Sequence, residues 1–214
     1  MGCAKIGART CFAIAVVLIT IAFSTPYWLQ SDGLLPYQRF QRVGLWEVCY
    51  TTYQESTYLR YNNKFRNCRW IFDKDYYYLL DLFETAFFIA VQVFFTVGFT
   101  ALLVSCVLIL AVHLCLSQEK EVLAVRLVAV LTMIAAICCI IAVIVFGVHG
   151  DGRDWMPDPD HNYLSWSFAL GVVGSFFILV SSILFFIEAS KVKKREDALN
   201  HHVAYHMEQT HTKV

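Results

Sequence analysis

Cys49 and Cys68 stand in the only long polar segment of an otherwise strongly apolar chain. Two thiols so placed have one straightforward chemistry, oxidation to a disulfide, which requires that the segment face an oxidising, extracellular side. Such a bridge would staple a small outer domain and restrict the unfolded chain by roughly 3 kcal/mol. Cys115 ends the second apolar run, level with the inner leaflet, and is a candidate for S-palmitoylation. Cys11, Cys106, Cys138 and Cys139 lie inside apolar runs and read as small buried hydrophobes. His201, His202, His206 and His211 lie in a polar tail with no cysteine partner, so a solvated flexible tail is expected and a metal site is not. Met1-Gly2-Cys3 is not a myristoylation signal, because Ile6 occupies the place of the required hydroxyl residue. No nucleophile, acid–base pair or metal set falls at a usable spacing. Neither an enzyme nor a cofactor is expected.

The elements that position these residues follow from hydropathy. Of 214 residues, 58% are hydrophobic and 16% charged, too apolar for a soluble domain. Net charge is zero, which gives no reason to expect nucleic acid as a partner. Four apolar runs, at about 11–28, 85–116, 122–149 and 164–187, approach or exceed the ~20 residues that cross a bilayer as a helix. They leave outer loops at 29–84 and 150–163 and a polar tail at 190–214. The first run has no cleavage site, and Trp28 is expected to mark the outer headgroup boundary. Small residues at Ala135, Ala136 and Cys139 favour close helix approach, and Gly171 with Ser175 forms a small-xxx-small pair. Gln92 is the main polar residue deep in a span, which interhelical hydrogen bonding accounts for. Glu188 sits beside a basic cluster, so a local ion pair explains it without transport.

The first outer loop is rich in aromatic and β-branched residues. Strands are expected over Arg42 to Tyr53 and Tyr58 to Phe72, with Gly33, Pro36 and Asn62-Asn63 as turns and Cys49 opposite Cys68. The fold class is therefore an all-α transmembrane four-helix bundle carrying a small extracellular antiparallel β-sheet formed mainly by the first outer loop. Lys5 and Arg9 before the first span, and Lys191, Lys193, Lys194 and Arg195 after the fourth, place both termini in the cytoplasm. The chain closes with a C-terminal carboxylate on Val214 and a hydroxyl on Thr212, the pattern that a PDZ scaffold groove takes as an added strand.

Gly44-Leu45-Trp46, two further residues and Cys49, with Cys68 after them and Trp28 before, resemble the signature of the claudin superfamily, which also includes the peripheral myelin proteins and the stargazin-like channel-associated proteins. The second outer loop looks most like that of invertebrate claudin-like septate-junction proteins. One departure is the longer spacing between the two cysteines, which implies an extended hairpin. The resemblance implies a structural membrane protein of lateral cell–cell junctions in the plasma membrane. It would contribute to a paracellular barrier by associating with membrane lipids and with claudin-like proteins in the same and the opposing membrane. Arg60, Lys64, Arg66 and Arg69 would then set charge selectivity, or else form a solvated face. Trp155, Met156 and Pro157 would contact the opposing membrane's proteins, or in the case of Trp155 pack internally. Trp46 is expected to anchor the sheet at the bilayer surface, and Trp70 to be a core or interface aromatic. The alternative is a stargazin-like auxiliary subunit of a channel or receptor.

Overall fold

A computed structural model describes residues 2–34, 40–50, 67–72, 85–114, 118–150, 152 and 155–211. Helix α1 spans Gly2–Ser24, α2 Ala86–Leu114, α3 Gln118–His149 and α4 Trp166–His211. Each contains a stretch long and apolar enough to cross a membrane. α2 lies along α3, while α4 packs against both α1 and α3; α1 and α2 meet over a smaller seam. Phe23 bridges that weaker seam by stacking on Phe99 of α2 at 4.5 Å.

Small residues set the close approaches. A Cβ on Gly98 of α2 would lie 2.6 Å from Cys139 Sγ and 3.1 Å from the Ala135 carbonyl oxygen of α3. The expected close packing at Ala135 and Cys139 is thus met by a glycine on the facing helix. Gly171 and Ser175 pack within the molecule. Gly171 faces Val143, Ala22 and Phe95, and the Ser175 hydroxyl donates to the Gly171 carbonyl at 2.7 Å.

Two helix ends differ from expectation. α1 stops at Ser24, four residues before Trp28, because Pro26 has no N–H to continue the ladder and disfavours helical geometry at Thr25. α4 continues past the apolar span to His211, where a flexible tail was expected. No glycine or proline follows Gly174, and a helix nucleated within the span need only propagate through the Lys-, Arg- and Glu-rich segment.

Above the bundle lies one five-stranded antiparallel sheet. Its strands are β1 Leu29–Ser31, β2 Phe40–Val43, β3 Glu47–Tyr50, β4 Asn67–Trp70 and β5 Asn162–Leu164, in the order β4-β3-β2-β1-β5. The first outer loop supplies four strands and the second supplies β5. The stretch expected as one strand from Arg42 is split at Gly44-Leu45-Trp46 into β2 and β3, which pair with each other through Val43 and Val48. Gly44 N–H donates to the Glu47 carbonyl at 2.8 Å and closes that turn. The expected turn at Asn62-Asn63 lies outside the described residues. Gly33 turns with φ +71°, as a glycine can without steric cost.

Candidate functional site: the junction of sheet and bundle

The disulfide joins Cys49 to Cys68, register partners on β3 and β4. Arg42, opposite Cys49 on β2, lays its guanidinium against the bridge, with Nε 3.2 Å from Cys49 Sγ and Nη2 3.5 Å from Cys68 Sγ. The same group sits 4.4 Å over the Tyr27 ring, a cation–π contact. Nothing in the linear sequence marks Arg42 apart from its neighbours. Only the hairpin register brings it onto the bridge.

Beneath the bridge, the Gly44-Leu45-Trp46 turn is seated on the end of α1. A Cβ at position 44 would lie 2.5 Å from the Thr25 carbonyl oxygen and 2.6 Å from Pro26 Cα. Leu45 is buried. Gln92 of α2 is also buried and donates from Nε2 to the Leu45 carbonyl at 2.7 Å. The expected interhelical bond of Gln92 is therefore a helix-to-turn bond, holding the sheet's hairpin to the second helix. Gln92→Leu would leave the Leu45 carbonyl without this donor, at an expected cost of about 1–3 kcal/mol. A lowered thermal midpoint of the detergent-solubilised protein, with faster amide exchange at residues 44–48, would register it; unchanged values would refute the clamp.

Trp46 is half-buried and packs its ring 5.4 Å from Phe23 of α1 and 6.5 Å from Phe72. It fastens the sheet to a helix of the same molecule. Its indole nitrogen has no hydrogen-bond partner among the described residues. Trp70 is not in the core: it is 57% exposed and stands edge-on to Phe72, itself 50% exposed, at 5.3 Å.

Trp28 departs most from the boundary position expected of it, being fully buried. Its ring meets Phe95 of α2, Phe146 of α3 and Phe168 of α4 edge-on at 5.1, 4.9 and 5.7 Å. Its Nε1–H donates to the Ala22 carbonyl at 2.8 Å. Outside it, Tyr27 and the 46% exposed Trp166 pair at 4.9 Å and give that level its outward-facing aromatics.

The second outer loop is tied into the same junction. Met156, expected to face outward, is instead buried, and Trp155 takes the internal of its two expected places, packing on Phe87, Phe88 and Phe146. A large apolar ring beside the exposed ends of α2 and α3 gains more by covering them than by facing water. The exposed tip is Pro157-Asp158, turned by the left-handed Asp158, φ 53°, and braced by Asn162 Nδ2 donating to the Pro157 carbonyl at 2.9 Å.

Asp32, just after β1, meets His161, just before β5, with its Oδ2 2.8 Å from Nδ1. The Leu34 backbone N–H, donating to Asp32 Oδ1 at 3.0 Å, and then His161 hold the Asp32 carboxyl below its ordinary range. A lowered folded-state value means that this group stabilises the fold above the ordinary carboxylate pKa. The contribution fades as pH falls below about 4. Amide exchange at 162–164, corrected for intrinsic rates, is expected to accelerate below that pH in the native chain and to lose this dependence in Asp32→Asn. Identical acid profiles would remove the clamp.

Arg69 is half-buried on β4. Arg60, Lys64, Arg66, Cys115, Thr212 and Val214 lie outside the described residues; among the described ones the structure brings together the two cysteines, Trp28 and the Gly44-Leu45-Trp46 turn. Among the described residues whose side chains are placed, no group of three His, Cys, Asp or Glu could hold a metal.

A family profile described as PMP-22/EMP/MP20/Claudin tight junction matches residues 13–187, which takes in α2, α3 and the five strands whole, with part of α1 and part of α4. A comparison with curated proteins finds no match.

Proposed function

We propose, from the premise that this chain belongs to the PMP-22/EMP/MP20/claudin family, that it is a structural protein of lateral cell–cell junctions whose sheet helps to seal the paracellular space. The observation that carries this reading is the disulfide-stapled sheet held rigidly on the bundle by the Gly44 turn, Gln92 and Trp28. A barrier needs a surface that keeps its shape outside the membrane, and these contacts supply one. A disulfide-bridged sheet suits the oxidising side, and on this reading both termini are cytoplasmic.

Side-by-side association would use the sheet's ends. Among the described strands β4 is one edge and bears the exposed Trp70 beside the half-exposed Phe72, while β5 is the other. Edge strands offer unpaired backbone groups, and exposed aromatics are the usual anchors of protein interfaces. Contact across the intercellular gap would fall to Pro157-Asp158, since Trp155 and Met156 are occupied in the interior. Partners would be membrane lipids, claudin-like proteins in the same and the opposing membrane, and a PDZ scaffold at Thr212 and Val214. Arg60, Lys64, Arg66 and Arg69 would bias ion passage, and Cys115 would carry a palmitoyl chain on the cytoplasmic side.

Tracer permeability across epithelial sheets depleted of this protein tests the reading. Depletion is expected to open the tracer path. Resupplied native chain should restore both barrier and lateral localisation, and Cys49→Ser should restore neither. An intact barrier accompanied by a changed membrane current would overturn the junctional reading in favour of an auxiliary channel subunit.

A further inference from the structure

Glu188 lies in α4 at the end of the bundle away from the sheet and is 7% exposed. Lys5 of α1 approaches its Oε1 at 3.7 Å, while its buried Oε2 has no hydrogen-bond partner among the described residues. A buried carboxylate oxygen without a donor costs free energy, and a bound group that brings one recovers it. Glu188 lines a partly open cavity of about 20 Å³ to which all four helices contribute, with Arg9 of α1 and apolar walls from Ile109, Val112, Val125 and Phe185. Arg9 is half-buried and has no ion pair or hydrogen bond among the described residues.

The cavity therefore asks three things of an occupant: N–H donors for Glu188, negative charge for Arg9, and an apolar portion for the aliphatic walls. Its volume admits one group about the size of a water molecule. Its depth narrows the choice further. Lys191, Lys193, Lys194 and Arg195 begin within a turn of Glu188, so the site lies where bilayer headgroups meet hydrocarbon.

We propose that this cavity binds the headgroup of a phospholipid carrying a primary ammonium. The ammonium, close to water in size and bearing three N–H donors, enters and donates to Glu188; the phosphate one short linker away faces Arg9. A choline headgroup fails on both counts, because its three methyl groups remove every N–H and enlarge the cation beyond the space. An anionic headgroup without an ammonium satisfies Arg9 but brings uncompensated negative charge toward Glu188.

Native mass spectrometry of the full-length chain, offered equal amounts of phosphatidylethanolamine, phosphatidylcholine and phosphatidylglycerol in detergent, tests this. The native protein is expected to retain phosphatidylethanolamine about tenfold over phosphatidylcholine, the discrimination that one charge-assisted hydrogen bond supplies. Glu188→Leu should abolish that preference without lowering the thermal midpoint, since it removes a buried charge and keeps the volume. Equal retention of the three lipids would mean that an ordinary water satisfies Glu188, and would overturn the proposal. So would a preference for phosphatidylglycerol, or a preference for phosphatidylethanolamine that survives in Glu188→Leu. The lipid comparison on the native chain needs no variant to fold, and it is independent of the barrier measurement.

Discussion

Replacing Gly44 by alanine is expected to destabilise the protein by about 3 kcal/mol, at the upper end of what overpacking usually costs. The atoms that an added methyl would meet are the Thr25 carbonyl oxygen at 2.5 Å and Pro26 Cα at 2.6 Å. Both are backbone, at the place where α1 turns into the sheet, and neither can rotate away as a side chain would. Relief requires the β2–β3 turn to lift from α1. Lifting it stretches the Gln92–Leu45 bond and the Trp28 N–H to Val43 carbonyl bond of 2.9 Å, which share that turn. The loss should appear as a lowered thermal midpoint of the purified chain. In cells it should appear as retention before the plasma membrane, with a fraction of Cys49 and Cys68 unpaired on non-reducing gels. A Gly44→Ala protein with the native midpoint would show that the turn floats free of α1.

Helix count and the pairing of Cys49 with Cys68 were legible because each rests on a local signal. Four apolar runs have no other stable home than a membrane, and two thiols in one polar segment have few other partners. What stayed hidden depends on which residues register brings together. Gly44 was visible as part of a motif, yet its reason, a 2.5 Å approach to the Thr25 backbone, belongs to tertiary structure. Gln92 was readable as a polar residue needing a partner, but a turn carbonyl far away in sequence could not be chosen over a neighbouring helix. Loop position leaves Trp155 open between an outward contact and internal packing, and only the open ends of α2 and α3, which offer it aromatic neighbours, decide for the interior. The helical continuation of α4 was missed because polarity was taken as a sign of disorder, although the segment has good helix formers and a span to extend.

Trp28→Ala is expected to cost about 3–5 kcal/mol, the range for deleting a fully buried aromatic, because the ring touches Phe95, Phe146 and Phe168 on three different helices. The chemistry of its N–H explains why a tryptophan stands there. In a continuous helix the Ala22 carbonyl would accept from the N–H of residue 26, but that residue is Pro26 and has none. The Trp28 indole supplies the missing donor at 2.8 Å, with the Ser167 hydroxyl as a second, longer one at 3.4 Å. Packing and donor can be separated by Trp28→Phe, which keeps an aromatic ring but not the N–H, and is expected to cost about 1–3 kcal/mol. Because Ser167 shares the acceptor, Ser167→Ala should be more damaging in the Trp28→Phe background than in the native chain, where the indole already satisfies Ala22. Thermal midpoints of the four proteins measure this coupling. Strict additivity would reduce Trp28 to a space-filling ring, whereas positive coupling would identify it as the residue that lets α1 end at Pro26 without stranding a carbonyl at the point where the chain leaves the bundle for the sheet.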